Sequence, residues 1–277
     1  MNRRLICMVC SAWLILEGCS VEPPVQTAPP PESPLTPVAL AADSPPVKPT
    51  QMVVARVRVG VVEVPAGLAS GSEEIWSYLE EEVIEAARSA GLDRNGLRAG
   101  VGKEGIWPDL ERNIKQMTGR EVSYATLTSF IGEPMAILLS TSDQERTIFI
   151  FHPDRTLSGS SYPPGDNLLA ISCSINQDQP DVVHISVVPQ IKAAQQKPEM
   201  VINPTGPALL SSRELISFDA LNFRASVPVR GFMVVGPGSL ARDPMSLGHH
   251  FLSVRRKGVT YERLIILIPE LFTVPAG

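Results

Sequence analysis

Alternation of β-branched and charged residues marks the first regular element of the chain. Residues 53–64 are rich in valine, and Arg56, Arg58 and Glu63 interrupt the valines. β-Branched residues at a period of two are typical of a strand with one face in water. We therefore predict a half-exposed strand at the start of the folded part.

Two stretches with helical spacing follow this strand. Residues 73–90 place Ile75, Leu79 and Val83 at intervals of four, after Ser72 and before Gly91, which predicts a long helix with the acids of residues 80–82 on its solvated face. A second helix is predicted over residues 108–118, with a proline at its first position and Gly119 ending it.

Beyond residue 119 the pattern changes to short β-like runs between turn residues. No strand is predicted between residues 192 and 212, and turns are predicted at residues 162–166 and 203–207. The sequence predicts an α+β fold that is predominantly β: a strand and two helices in residues 52–119, then a multi-stranded, mostly antiparallel β domain in residues 120–272. The predicted strands of this second part are 121–128, 135–140, 147–151, 168–175, 182–188, 217–223, 232–235, 251–255 and 263–268.

The first 19 residues have the parts of a bacterial lipoprotein signal. Arg3 and Arg4 precede an apolar run of about twelve residues, which closes on Gly18 and Cys19. Cleavage there would leave Cys19 as the acylated first residue of the mature protein. An ordinary cleaved signal and an uncleaved anchor are the alternatives, although the run falls short of the ~20 residues that span a bilayer.

Residues 20–50 are rich in proline and nearly free of large apolar side chains. Such a segment cannot offset its ordering entropy by burial, so we expect a disordered tether between the lipid and the folded part. The expected location is the bacterial cell envelope. Ser20, rather than an aspartate, follows the cysteine, which resembles an outer-membrane address with the protein facing the periplasm.

Composition narrows the classes of partner and chemistry. The formal charge of the 277-residue chain is -5 and no basic cluster occurs, which argues against nucleic-acid binding. No segment after Cys19 is long and apolar enough for a transmembrane helix. Cys7 and Cys10 lie in the signal segment, and Cys173 lies in an apolar run, so it is expected to be a buried structural thiol.

Few residues suggest chemistry. His249 and His250 could be imagined to bind a metal with Asp243, or with His152 and Asp154, but no spacing supports such a site, and surface or turn histidines are the favoured explanation. His184 lies on an alternating strand and is expected to be partly buried. The glycines of residues 231–238 favour a tight turn over a phosphate loop, and the serines of residues 158–161 favour a loop over a hydrolase elbow. We predict no catalytic, cofactor or metal residue.

Four segments, in this order along residues 52–272, resemble the C-terminal domain of the secretins, the outer-membrane channel subunits of bacterial secretion and pilus systems. Residues 57–64 resemble the opening strand of that domain, and residues 168–175 with 181–191 its pair of long wall strands. Residues 222–236 resemble the junction of an alternating and a glycine-ended strand. Residues 262–272 resemble its closing apolar strand and proline. The N-terminal ring domains of secretins have no counterpart here.

The resemblance implies a non-enzymatic, lipid-anchored component of a secretion, transport or assembly machine, with copies of itself or secretion-machinery proteins as partners. A monomeric lipoprotein that binds an envelope ligand or partner is the alternative hypothesis. A secreted hydrolase or metal enzyme is the third, and it would depend on His249 and His250.

Overall fold

The computed structural model describes residues 51–176, 178–203 and 206–275. The predicted signal segment, Cys19 and the predicted tether of residues 20–50 lie outside them. The described helices are α1 (Ala86–Arg94), α2 (Trp107–Thr118) and α3 (Leu247–Leu252). The described strands are β1 (Gln51–Pro65), β2 (Leu97–Gly102), β3 (Tyr124–Phe130), β4 (Met135–Ser142), β5 (Arg146–Phe151), β6 (Leu157–Tyr162), β7 (Gly165–Asn176), β8 (Gln179–Asn203), β9 (Gly206–Ser217), β10 (Phe223–Pro228), β11 (Phe232–Pro237), β12 (Ser253–Arg256) and β13 (Val259–Pro275).

The first sheet has the strand order β2-β11-β13-β1-β3, and β12 pairs with the first residues of β13. β1 and β13 are antiparallel over their shared length, from Gln51 opposite Pro275 to Pro65 opposite Tyr261. The predicted opening and closing strands therefore lie side by side in the centre of one sheet.

The second sheet has the order β10-β8-β7-β4, and β9 pairs with the outer half of β8. β5 and β6 form a separate two-stranded ribbon. All pairings between these strands are antiparallel. The predicted mostly antiparallel, predominantly β fold is confirmed.

The main core lies between the two sheets. Val57 and Leu267 face it from the first sheet, and Ile171, Ile185 and Ala225 face it from the second, each with no more than 1% of its surface exposed. In the second sheet the core residues alternate with more exposed ones along each strand, which is the pattern of a sheet buried on one side. In the first sheet, β13 is buried on both faces from Arg263 to Ile268.

A second, smaller core covers the opposite face of the first sheet. α2 lays Leu110 and Ile114 over this face, where they join Trp76, Val234 and Ile266 in one buried cluster. α2 ends at Gly119, which has a φ of 68° that glycine adopts without strain. The helix predicted over residues 108–118 is confirmed.

The long helix predicted over residues 73–90 is wrong. A 3₁₀ turn occupies Trp76–Tyr78, and the α-helix begins only at Ala86 and continues through Gly91. Glu80 exchanges two backbone hydrogen bonds with Val101 of β2, at 2.8 and 3.0 Å. Pairing with the edge of β2 thus overrides the helical spacing, and the acids do not form the solvated face of a helix.

Several predicted strand boundaries are also wrong. A 3₁₀ turn at Asp219–Leu221 interrupts the strand predicted over residues 217–223, and Phe251 belongs to α3 rather than to a strand. The serines of residues 158–161, predicted to form a loop, lie on β6 and pair with β5. β8 and β9 fill the region from residue 192 to residue 212, where no strand was predicted.

Candidate assembly surface

A long hairpin extends β8 and β9 beyond the second sheet. β8 pairs with β7 as far as Ala193, and the amide of Ala194 donates to the carbonyl of Pro164 at 2.8 Å. From residue 195 to Asn203, among the described residues, β8 pairs with β9 alone. Nine residues at ~3.3 Å each reach about 30 Å.

The hairpin is exposed wherever its side chains are described. Met200 has 72% of its surface in solvent, and residues 195, 196, 212 and 213 of this hairpin (residues 195–213) are exposed as well. A lone two-stranded hairpin is at best marginally stable in water, and its two outer edges offer unpaired backbone groups. The hairpin therefore has the properties of an element that is completed by further strands.

The second sheet is open at both ends. β10 pairs only with β8, and β4 pairs only with β7, among the described residues. One carbonyl of β4, that of Leu139, accepts a hydrogen bond from the buried guanidinium of Arg263. Leu138, on the same strand, is 59% exposed. These two open edges lie at opposite ends of one sheet, so they could meet in a head-to-tail contact between copies.

The outer face of the second sheet carries small and polar side chains. His184 lies between Ser174 and Ser226 in the pairing register, and its Nδ1 lies 3.0 Å from the Ser226 hydroxyl. Burial, together with the positive charge of Arg224, lowers the pKa of His184. Arg224 donates to Ser174 at 2.9 Å. The prediction of a partly buried strand histidine at His184 is confirmed.

The structure does not group the histidines and acids that were considered from the sequence as a possible metal site. His249 and His250 are adjacent on α3, whereas Asp154 accepts hydrogen bonds from Thr156 and His152 contacts the Ser158 hydroxyl. Within residues 51–176, 178–203 and 206–275, no three histidine, cysteine or acidic side chains are grouped so that they could hold a metal ion.

Two further sequence candidates have structural roles. Cys173 is 1% exposed in the main core, and burial raises the pKa of its thiol to about 11, so the prediction of a buried thiol is confirmed. The amide of Gly238, in the predicted glycine turn, donates to the carbonyl of Gly96 at 3.0 Å. β11 leads into a 3₁₀ turn at Ser239–Arg242 rather than directly into another strand.

Glu80 and Glu81, two of the three acids of residues 80–82, form ion pairs within the fold. Arg98 contacts Glu73 and Glu81 at 2.7 Å each and stacks over the ring of Trp76. Burial opposes the charge of Arg98, but the two carboxylates outweigh it and raise the pKa of the guanidinium. Lys103 pairs with Glu80 at 2.6 Å.

Among the described helices, none combines the length and the apolar character required to cross a membrane.

No family model and no curated protein matches the chain. Among solved structures, the chain aligns with three secretins. The InvG secretin domain of the Salmonella SPI-1 injectisome has 12% identity, with 82% of this chain and 62% of that chain covered and a TM-score of 0.18. The type IV competence pilus secretin PilQ of V. cholerae has 12% identity, 80% and 58% coverage and a TM-score of 0.20.

The secretin of the ETEC AspS-GspD pilotin–secretin complex has 8% identity, 83% and 51% coverage and a TM-score of 0.18. The chain thus spans between about half and three fifths of the length of these secretin chains. TM-scores this low do not establish a shared fold.

Proposed function

We propose that this protein is a lipid-anchored, secretin-like component of a bacterial secretion or envelope-assembly machine, that it has no catalytic activity, and that copies of it join through strand edges. The observation that carries the proposal is the hairpin of residues 195–213. It extends about 30 Å past the body of the fold, is exposed, and lacks a third strand among the described residues.

A second copy of the chain is the partner that this geometry favours. A neighbouring hairpin would supply the missing strands, because like hairpins match in length and backbone pattern. The open edges of β10 and β4 lie at opposite ends of one sheet, and a head-to-tail contact between them repeats from copy to copy. Such heterologous contacts form rings when the rotation closes.

The anchor and tether complete the proposal. Acylated Cys19 would attach the chain to the outer membrane on its periplasmic side. Residues 20–50, extended at ~3 Å per residue, would give the folded part several tens of Å of reach. The sequence supports this arrangement through its basic start, short apolar run and proline-rich segment.

The decisive experiment is the oligomeric state of the full chain extracted from membranes in mild detergent. Light scattering and negative-stain imaging should show closed rings. A variant with residues 197–212 replaced by Asn-Gly joins the paired residues Gln196 and Arg213 by a two-residue turn. It should remain folded by circular dichroism but lose the rings. A wild-type chain that stays monomeric at high concentration would overturn the assembly role and leave a tethered binding module.

A matched pair of leucines tests the β4 edge separately. Leu138 on β4 and Leu157 on β6 are 59% and 60% exposed, so a glutamate at either position should cost the monomer little stability. Leu138→Glu should weaken the assembly, since it places a charge where two copies meet, whereas Leu157→Glu should assemble as the wild type does. Equal behaviour of the two variants would remove β4 from the interface.

The anchor is tested by labelling cells with radioactive palmitate and separating their membranes by density. The wild-type chain should carry label and sediment with the outer membrane, and Cys19→Ser should lose both properties. An unlabelled wild-type chain would show that residues 1–19 are an ordinary signal.

A further inference from the structure

Arg146, the first residue of β5, is a buried guanidinium with unused donors. Only 8% of the residue is exposed. Its Nη2 donates to Asn167 Oδ1 at 2.6 Å, whereas Nε and Nη1 are buried without any hydrogen-bond partner. No ion pair to Arg146 occurs within the part of the chain that the structure describes. Burial accordingly lowers the pKa of this guanidinium.

Neighbouring side chains fix the position of Arg146. Asn167, 2% exposed on β7, accepts from Arg146 and uses its own amide hydrogens on Ser140 Oγ at 2.9 Å and on the carbonyl of His250 at 2.8 Å. Every polar group of the Asn167 side chain is thus occupied. The guanidinium is held in place by a neighbour that cannot satisfy its remaining donors.

Arg146 lines an open pocket of about 560 Å³ at the junction of β4, β5, β7, α3 and β12. The other positive or titratable groups of its wall are His249, His250 and Arg255, and no aspartate or glutamate belongs to the lining. The remaining polar wall consists largely of hydroxyl side chains: Ser140, Thr141, Ser142, Ser253 and Thr260.

Asp166 is hydrogen-bonded to the pocket residue Thr141, but its carboxylate already has partners of its own. Asp166 accepts from the Thr141 hydroxyl at 2.7 Å and forms an ion pair with Arg213 at 3.8 Å. The side chain of Arg255, exposed on β12, has no hydrogen-bond or ion-pair partner among the described residues. The pocket therefore combines a buried and an exposed guanidinium, neither of them neutralised by a carboxylate.

The two histidines present further nitrogen atoms. His249 Nδ1 donates to the carbonyl of Ala241 at 3.0 Å, and His250 Nε2 donates to the carbonyl of Thr147 at 3.2 Å. A carbonyl only accepts, so each contact fixes which ring nitrogen carries the proton. The other nitrogen of each ring has no partner in the described residues and becomes a donor when the ring is protonated.

We propose that this pocket binds a phosphate-type oxyanion carried by a small polar molecule or by a lipid headgroup. A buried guanidinium without an anion is costly, and phosphate oxygens accept from guanidinium donors in short, charge-assisted hydrogen bonds. The hydroxyl side chains suit the polar remainder of such a ligand. The proposal does not depend on oligomerisation, since all the residues of the pocket belong to one chain.

The test is isothermal titration calorimetry of the full chain in non-ionic detergent with inorganic phosphate, against chloride at matched ionic strength. Phosphate should bind to the wild type with saturation, and Arg146→Met should weaken binding at least about tenfold, since charge-assisted hydrogen bonds are lost. An absence of saturable phosphate binding to the wild type would overturn the proposal. So would wild-type affinity in Arg146→Met.

Two adjacent arginines on β12 provide a matched control that does not disturb the core. Arg255 lines the pocket, whereas Arg256 pairs with Glu63 at 2.9 Å on another side of the strand. Arg255→Gln should weaken phosphate binding severalfold, and Arg256→Gln should leave it unchanged. Equal effects of the two would indicate attraction by net charge and count against the pocket.

The source of the oxyanion is distinguished with glycerol 3-phosphate and with short-chain phosphatidylglycerol in mixed micelles. Comparable binding of inorganic phosphate and glycerol 3-phosphate, both sensitive to Arg146→Met, supports a soluble ligand. Clearly tighter, Arg146-dependent binding of phosphatidylglycerol supports a headgroup. Phosphatidylglycerol binding that is unaffected by Arg146→Met would contradict the proposed site.

Discussion

Replacing the buried Arg146 should stabilise the protein in the absence of an oxyanion. Each buried donor without a partner costs about 1–3 kcal/mol, and Arg146 has two such nitrogens, Nε and Nη1. Arg146→Met removes both costs, together about 2–6 kcal/mol, while it leaves Asn167 Oδ1 without its donor, a loss of about 1–3 kcal/mol. The expected net gain in the free energy of unfolding is about 1–3 kcal/mol.

Urea unfolding in chloride buffer, followed by tryptophan fluorescence and circular dichroism, measures this difference. Trp76 is a suitable reporter because it is 1% exposed in the smaller core. Arg120→Met, at an exposed arginine, is the control and should change the free energy by less than about 0.5 kcal/mol.

Phosphate should reduce the difference in free energy of unfolding between Arg146→Met and the wild type, or reverse its sign. A ligand at about 100 times its Kd stabilises the folded state by about 2.7 kcal/mol, and only the wild type should gain this amount. A loss of more than about 1 kcal/mol by Arg146→Met in chloride buffer would refute the reasoning, since it would mean that the arginine is fully satisfied without an anion.

Three further predictions concern single residues of the fold and are checked by the same urea titrations. Glu262→Ala should cost about 2–4 kcal/mol, because the buried Glu262 carboxylate accepts hydrogen bonds from two backbone amides and from the Ser70 hydroxyl; a cost below about 1 kcal/mol would contradict this. Gly248→Ala should destabilise the protein by more than about 3 kcal/mol, since the new Cβ would overlap the backbone carbonyl of Gly96. In contrast, a Cβ at Gly91 has no neighbouring atom within 4 Å, so Gly91→Ala should stabilise α1 by about 0.5–1 kcal/mol. Burial is the main cause that lowers the pKa of His250 in the folded state. As the pH drops, the unfolded chain is therefore protonated at this histidine before the folded protein is, and the free energy of unfolding should decrease below about pH 6.5. His250→Asn should reduce this decrease, and an unchanged pH dependence in the variant would show that His250 does not contribute to it.

Elements whose side chains alternate or carry clear end signals were predictable from the sequence. β1 shows its wet and dry faces through Arg56 and Arg58 among valines, and α2 has a proline at its start and Gly119 at its end. These signals are local. They remain visible whatever the rest of the chain does.

β2 was missed because its glycines serve close packing rather than a turn. A Cβ at Gly100 would lie 2.8 Å from Leu79 Cβ, and β2 pairs with β11 on its other side. Glycine usually counts against a strand in a sequence pattern. The side chain that requires glycine at position 100 is that of Leu79, which lies 21 positions earlier in the chain. The error in the helix of residues 73–90 has a related origin, since Glu80 pairs with Val101 of β2 and interrupts the helical spacing.

The hairpin and the oxyanion pocket depend on strand pairing between separate segments of the chain. Local sequence patterns do not indicate which segments pair. Residues 192–212 contain three prolines and two adjacent glutamines, so only the cross-strand register makes the described part of this region strand. Arg146 follows a polar turn, and nothing in the sequence indicates that β7 and α3 would bury it. What the sequence did suggest was a resemblance of four segments to secretins, and the proposed function rests on this resemblance together with the hairpin.

The pairing of the first strand with the last sets the order in which this protein can acquire its structure. β13 lies between β11 and β1, so the first sheet cannot form until residues 259–275 have been made. Contacts between the two ends of a chain close the longest loops and form slowly. A growing chain that ends before residue 259 therefore lacks the strand that joins β11 to β1, and this sheet assembles only after β13 has been synthesised.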